Sequence, residues 1–241
     1  MPFLTAEWRH LAMLNYQVDP AVLARDVPAG TELDSHEGKT FVSLVGFRFL
    51  NTRLLGLTIP LHSSFDEVNL RFYVRRKEPG GVKRGTVFIR EIVPRRAIAQ
   101  VARMAYNEKY IALPMSHRIE LAAAGGNPGL VEYGWKLGSA WNHLRVQCAG
   151  LDPVALRDGS HEQFIAEHYW GYSVQRDGGT VEYRVEHPPW RIWPGEQADV
   201  QVDIGPLYGE RFRIALSAPP VSIFVAEGSP VKVFRPRRLA V

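Results

Sequence analysis

The side chains best equipped for chemistry lie in one stretch, Phe65-Asp66-Glu67-Val68-Asn69-Leu70-Arg71-Phe72-Tyr73-Val74-Arg75. Val68, Leu70, Phe72 and Val74 alternate with Glu67, Asn69, Arg71, Tyr73 and Arg75. A period of two is that of a strand. Its polar face offers a carboxylate, an amide, a guanidinium and a phenol. Inside a barrel or cleft those groups would converge on a small ligand. On a strand with one wet face they would make ordinary cross-strand pairs. The pattern is compatible with both arrangements.

Competing chemistries find little support. His161-Glu162 opens like a zinc-binding helix, but the next histidine is His168, seven residues on. That is about 10.5 Å along a helix, too far for two ligands each about 2.1 Å from one metal. No metal site is expected. There is no GxSxG, no P-loop and no GxGxxG after a strand, so no nucleotide or other cofactor is expected. Gly125-Gly126-Asn127-Pro128-Gly129 lacks the Lys-Ser/Thr of a phosphate cradle and reads as a plain loop. Cys148 is the single cysteine and reads as a buried, inert thiol. No intrachain disulfide can form, which fits a reducing compartment.

The elements around the stretch are mainly strands. Residues 5–18 read as a strand with an aromatic lead-in, followed by a short helix capped by Asp19-Pro20. A strand is expected over 40–50, then an apolar loop or flap over 54–60. Pro79-Gly80-Gly81 turns the chain so that 86–93 returns beside the opening stretch. Ile98, Val101, Ala102 and Ala105 then mark the buried face of a helix, with Arg103 beside that stripe. A hairpin is expected over 130–148, a helix from Ser160 to about Tyr169, and a second hairpin around Asp177-Gly178-Gly179. Two more strands are expected near 210–217 and 221–226. The fold class is α+β and β-rich, one domain over 1–241 ending in a basic, solvated tail at 235–241.

The chain of 241 residues is 46% hydrophobic and 22% charged, enough to bury a sizeable core. A net charge of +4 is a weak attraction for anions, and no nucleic-acid-binding signature accompanies it. No apolar run is long enough to span a membrane, and the N-terminus lacks the pattern of a signal peptide. A cytoplasmic protein without nucleic-acid or membrane partners is expected. A homo-oligomer is compatible with the chain.

Three pieces together resemble a known family: the 65–74 stretch, Ala102-Arg103 with Tyr106 and Tyr110 after it, and His187-Pro188-Pro189-Trp190. They resemble the YqjF-like family, uncharacterised bacterial proteins carrying a domain of unknown function. The resemblance runs from Trp8 to about Ala218. That family is distantly similar to acetoacetate decarboxylase, a β-rich, cone-like barrel around a small polar cavity. The resemblance implies that Glu67 is enclosed. It matches Glu67 to an acid opening the central strand and Arg103 to the arginine of a Gly-Arg-Glu segment. The family's Schiff-base lysine, seven residues further, falls on Tyr110, and Lys109 sits one position early.

What the resemblance implies is therefore a site without the imine-forming amine. Glu67 would act as general acid/base, Arg103 would hold a carboxylate or enolate, and Tyr110 would donate a hydrogen bond or proton. Asn69, Arg71, Tyr73 and Tyr106 would bind the ligand, a small anionic or carbonyl-containing molecule. Lyase, hydratase or isomerase steps suit such a site. A binding protein that does no chemistry suits it too.

Overall fold

In the computed structural model, which describes residues 1–122 and 129–239, the stretch is the core of a long strand, Phe65–Glu78. Gly125 to Pro128, and the side chains of Ala102 and Ala105, lie outside the described residues. The Gly81–Val93 strand returns antiparallel beside it, with Tyr73 opposite Thr86 and Asn69 opposite Glu91. On its other edge lies Thr40–Leu54, with Glu67 opposite Phe47. Leu4–Val18 follows, then Ser222–Val233.

The strands close on themselves. Trp170–Val174 runs parallel to Gly81–Val93 at Gly85 and Thr86, and pairs with Thr180–Glu186. That strand meets Ser222–Val233 at Val185–Val233 and Glu186–Lys232. The result is a tapering ring of seven strands. Two of its seams are only two residue pairs long, which separates it from a regular barrel.

A second antiparallel layer covers the ring. It contains Met115–Glu120, Gly129–Leu137, Ala140–Cys148 and Arg191–Gln201. Gly46 lets this layer sit close, because a Cβ there would come 2.6 Å from the Tyr133 ring. Val68, Leu70, Phe72 and Val74 join Tyr133, Trp135 and Leu144 in the core between the layers. The opposite face of the ring wall buries Leu11, Val45, Phe47, Phe49 and Trp190. Residues 65–74 of this strand are therefore buried on both faces, and Glu67, Asn69 and Arg71 point into the ring.

A bulge decides which residues of Gly81–Val93 join them. Leu70 is opposite Arg90, but Arg71 is opposite Phe88, so Ile89 is the extra residue. Ile89 packs into the outer core, and Arg90 donates to the Leu207 carbonyl at 3.1 Å. Two consecutive residues thus leave the interior, and Glu91 returns to it.

Two expectations need correction. Residues 210–217 are helical turns, Glu210–Phe212 and Arg213–Ser217, because Glu210 pairs with Arg213 across one turn after a break at Gly209, φ 96°. The helix capped by Ser160 ends at Ala166, and Trp170 already belongs to the ring. At the basic tail, Arg237–Arg238 pairs with Thr180–Glu186 and Arg237 binds the buried Glu182 carboxylate, while Arg235, Arg237 and Arg238 stay exposed. No described helix is long and apolar enough to cross a membrane.

Candidate functional site

The inward face of Phe65–Glu78 borders a cavity of about 230 Å³. Glu67, 2% exposed, forms its acidic centre. Glu67 Oε1 accepts from Asn69 Nδ2 at 3.0 Å, and Oε2 accepts from the Tyr110 hydroxyl at 3.0 Å. Burial pushes the carboxyl up to about 7, against the opposing pull of Asn69, Tyr110 and the Arg71 charge.

Two more buried carboxyls share the space. Glu91 is 2% exposed, and its Oε2 has no hydrogen-bond partner. Burial, then the neighbouring Glu108 and Glu67, hold it well above the usual carboxylate range. Glu108 accepts from the Tyr183 hydroxyl at 2.9 Å, and burial pushes it up to about 8. Tyr110 lies against both Glu67 and Glu91, and burial followed by those two charges raises its phenol. The trio is not a metal cage: no cluster of three or more His, Cys, Asp or Glu with metal-binding geometry occurs among the described residues.

The backbone explains how these groups meet. The Arg96–Tyr106 helix ends at Asn107, which takes the left-handed conformation at φ 55° and turns the chain back. Tyr110–Ala112 then runs parallel to Glu91–Val93. Glu108 and Tyr110 enter the ring on this return. Tyr106, at the helix end, lines the cavity, donates to the Phe234 carbonyl at 3.3 Å and packs edge-on against Tyr183. Tyr183 in turn lies over Gly171, where a Cβ would come 2.1 Å from its ring.

Arginine placement differs from the expectation. Arg103 is exposed and does not line the cavity. Its Nε donates to the Tyr110 carbonyl at 2.8 Å, from outside the ring. It braces the backbone that carries Tyr110. The guanidinium inside the cavity is Arg71: Nη2 donates to the Ile165 carbonyl at 3.4 Å, and Nε has no partner. Asn69 also lines the cavity, whereas Tyr73, on the same face of the strand, does not. The Tyr73 and Ser43 hydroxyls share a hydrogen bond at 2.5 Å, and the Tyr73 ring packs on His168 at 4.5 Å.

Lys109 points away from the cavity. Its Nζ is 3.3 Å from Asp26 Oδ1, with nearly half the side chain exposed. No lysine lines the cavity among the described residues.

Sequence reasoning missed Glu91, Glu108, Tyr183, His168 and His187 as lining residues. Glu91 is hidden by the bulge and Glu108 sits in a segment with no periodicity. His168 lines the cavity and is buried. It lies 3.7 Å from Asp34, an ion-pair distance too long for a hydrogen bond, and burial pushes it down to about 4. The His187 ring stacks on Trp190 at 4.2 Å, and burial pushes it down to about 4 as well. The rest of the lining is mainly apolar, so the expected polar cavity is polar on one side only.

Comparison with known proteins agrees with this architecture. The DUF2071 family, described as an uncharacterized conserved protein, matches residues 5–230. The uncharacterized protein YqjF of Bacillus subtilis (strain 168) is 34% identical over 76 residues. That match spans 31% of each chain, so the chain covers under a third of that relative's length. Among solved structures, acetoacetate decarboxylase from Legionella pneumophila superposes with a TM-score of 0.66 at 14% identity, covering 100% of this chain and 88% of the other. An acetoacetate decarboxylase-like enzyme from Sphingomonas wittichii RW1 gives 0.67 at 12% identity, covering 100% and 94%. The enduracididine biosynthesis enzyme MppR, complexed with pyruvate, gives 0.67 at 13% identity, covering 100% and 91%. At these identities the likeness shows the acetoacetate decarboxylase-like fold alone.

Proposed function

The chain belongs to the DUF2071 family, and on that footing we propose that its cavity binds a small carbonyl compound or organic acid and moves a proton on it without an imine. The observation that carries this reading is the buried Glu67, hydrogen-bonded to Tyr110 and Asn69 and poised at about 7. A general base works best when its proton affinity lies near the working pH.

The chemistry follows from the placement. The Glu67 carboxylate takes a proton from the carbon next to the carbonyl. The C–H pair becomes the new C=C bond, and the carbonyl π pair moves onto oxygen. Arg71 Nε, which has no other partner, donates to that oxygen. Return of the proton from Glu67 to a different carbon completes an isomerisation. Loss of a β-substituent from the same enolate completes a lyase or dehydratase step, and reversal of that step is hydration. Tyr110 orients Glu67 and lies between it and Glu91, whose carboxyl burial holds above the usual carboxylate range. The absence of a lysine from the described lining argues against a Schiff base. The buried Cys148, its thiol pushed up to about 12, fits a cytoplasmic setting.

Acetylacetone in D₂O tests this directly, with the α-deuterium followed by NMR. We expect protein-dependent exchange that falls at least ~100-fold in Glu67→Gln, the lower end of general-base contributions. Exchange equal in Glu67→Gln, Tyr110→Phe and the parent protein would discard the catalytic role. Saturable binding with no exchange would establish a binding protein instead.

A further inference from the structure

The cavity has two unlike sides. Glu67, Asn69, Arg71, Glu91, Glu108 and Tyr110 gather on one. The other is an aromatic box. Phe49 stacks on Phe65 at 4.6 Å, and Trp8 stands edge-on to Phe47, Phe49 and Trp190 at 5.5, 5.8 and 6.3 Å. A three- or four-carbon acid would occupy the polar side and leave this box facing water or empty space. Either outcome is unfavourable for so much apolar surface.

The size points the same way. An apolar cavity of about 150 Å³ holds benzene. At about 230 Å³ this one is roughly half as large again, room for roughly nine non-hydrogen atoms. The rim is apolar too. Ile59 and Val101 both line the cavity and are 43% and 42% exposed. Leu57 and Leu61, two residues either side of Ile59 in sequence, are more exposed still, at 73% and 78%. Apolar groups left in water around an opening mark a route for an apolar molecule.

The polar side constrains the head group. Three buried carboxyls surround one guanidinium, so an anionic head would have to compete with Glu67 for the Arg71 charge. A carbonyl oxygen needs only donors, and Arg71 Nε supplies one without giving up another bond.

We propose that the ligand is amphipathic and uncharged: a ketone or 1,3-dicarbonyl of about nine non-hydrogen atoms whose oxygen meets Arg71 and Glu67, with its alkyl or aryl body packed among Trp8, Phe47, Phe49 and Phe65. This rests on the reading of the Glu67 side as the reacting end, and narrows it from small acids to larger neutral carbonyl compounds.

The test is calorimetric titration of the full chain with methyl ketones from acetone to 2-decanone, with benzoylacetone, with alkanoates of matched length, and with pyruvate. Affinity is expected to rise about fourfold per added CH₂, the factor for burying one methylene, and to stop rising near nine non-hydrogen atoms. Benzoylacetone, larger than about nine non-hydrogen atoms, is expected to bind no more tightly than 2-octanone. Phe65→Leu and the rim variant Val101→Ser should weaken the long ketones at least fivefold and pyruvate by a smaller factor. Val101 is exposed enough that this variant keeps its fold. A flat dependence on chain length, or alkanoates tighter than matched ketones, overturns the proposal. If pyruvate alone binds and Glu67→Gln abolishes that binding, the amphipathic ligand is wrong while the proton-transfer site stands. If long ketones bind with the expected slope but Glu67→Gln changes nothing, the reacting end has been misassigned and the proposal falls with it. No binding of any probe sinks both.

Discussion

Tyr110 donates its hydroxyl to Glu67 at 3.0 Å across 43 positions of sequence. The contact joins the central strand of the ring to the segment that returns after the Arg96–Tyr106 helix. It sets the protonation of the buried acid, because a hydrogen bond to a carboxylate favours the charged form.

Removing that bond should move Glu67 in a known direction. Tyr110→Phe leaves burial in place and deletes one of the influences that hold the carboxyl down to about 7. The acid limb of any Glu67-dependent pH profile should therefore shift upward. Glu67→Gln should abolish that limb. The pH dependence of α-proton exchange, or of ligand binding, measures both. A limb that stays in place in Tyr110→Phe would show that another group controls it.

Stability should fall as the buried acids ionise. Glu67 at about 7 and Glu108 at about 8 both lie above the range near 4.5 of an exposed glutamate. Between those limits the folded chain binds more protons than the unfolded one, so the slope of unfolding free energy with pH is negative. Their stabilising contribution is complete below about pH 4.5 and is lost as pH rises through 7 and 8. Glu108→Gln keeps an acceptor for Tyr183 and has no proton to lose. Its melting temperature should lose less than the parent's between pH 6 and 9. Parallel melting curves across that range would refute the assignment.

Lys109 should form no imine. An imine-forming amine must be neutral near the working pH, which requires desolvation or a neighbouring cation. Lys109 has neither: it is half exposed and 3.3 Å from the Asp26 carboxylate. Borohydride reduction with acetoacetate, followed by intact mass, should show no adduct. An adduct mapped to Lys109 would require this segment to rearrange and would return the protein to Schiff-base chemistry.

Gly171→Ala should disturb the site from behind. Its Cβ would lie 2.1 Å from Tyr183 Cζ, so the ring must move and its bond to Glu108 must lengthen or break. Overpacking of this kind costs about 1–3 kcal/mol. Chemical denaturation should show that loss, and ligand affinity should drop with it. The double variant Gly171→Ala with Tyr183→Phe separates the two causes. It keeps the clash with the ring carbons and removes the hydroxyl, itself 2.4 Å from that Cβ, so its stability should be no lower than the single variant's while Glu108 no longer has a donor to lose.

Much of the wall was legible in the chain. The alternation from Val68 to Val74 specifies a strand because successive side chains point to opposite faces. Pro79-Gly80-Gly81 specifies the hairpin that puts 86–93 beside it, since the register keeps Tyr73 opposite Thr86. The missing lysine at Tyr110 is readable as a residue type. These features depend on neighbours in sequence.

What only the tertiary structure decided is which side of the wall is the inside. That depends on the seams that close the ring, such as Val185 against Val233, and no local pattern encodes a pairing across 48 positions. Closure encloses Glu67 and Arg71 and leaves Arg103 outside, although all three are polar residues beside apolar stripes. The bulge at Leu70–Arg71 reverses the alternation of the facing strand and brings Glu91 inward, against the parity a regular strand would keep. Glu108 follows from one residue, Asn107, whose left-handed backbone turns the chain after the helix into the ring. The sequence alone determined the strand and its chemistry. Enclosure, and with it the raised carboxyls, came from contacts between distant segments, because burial is a property of the closed ring.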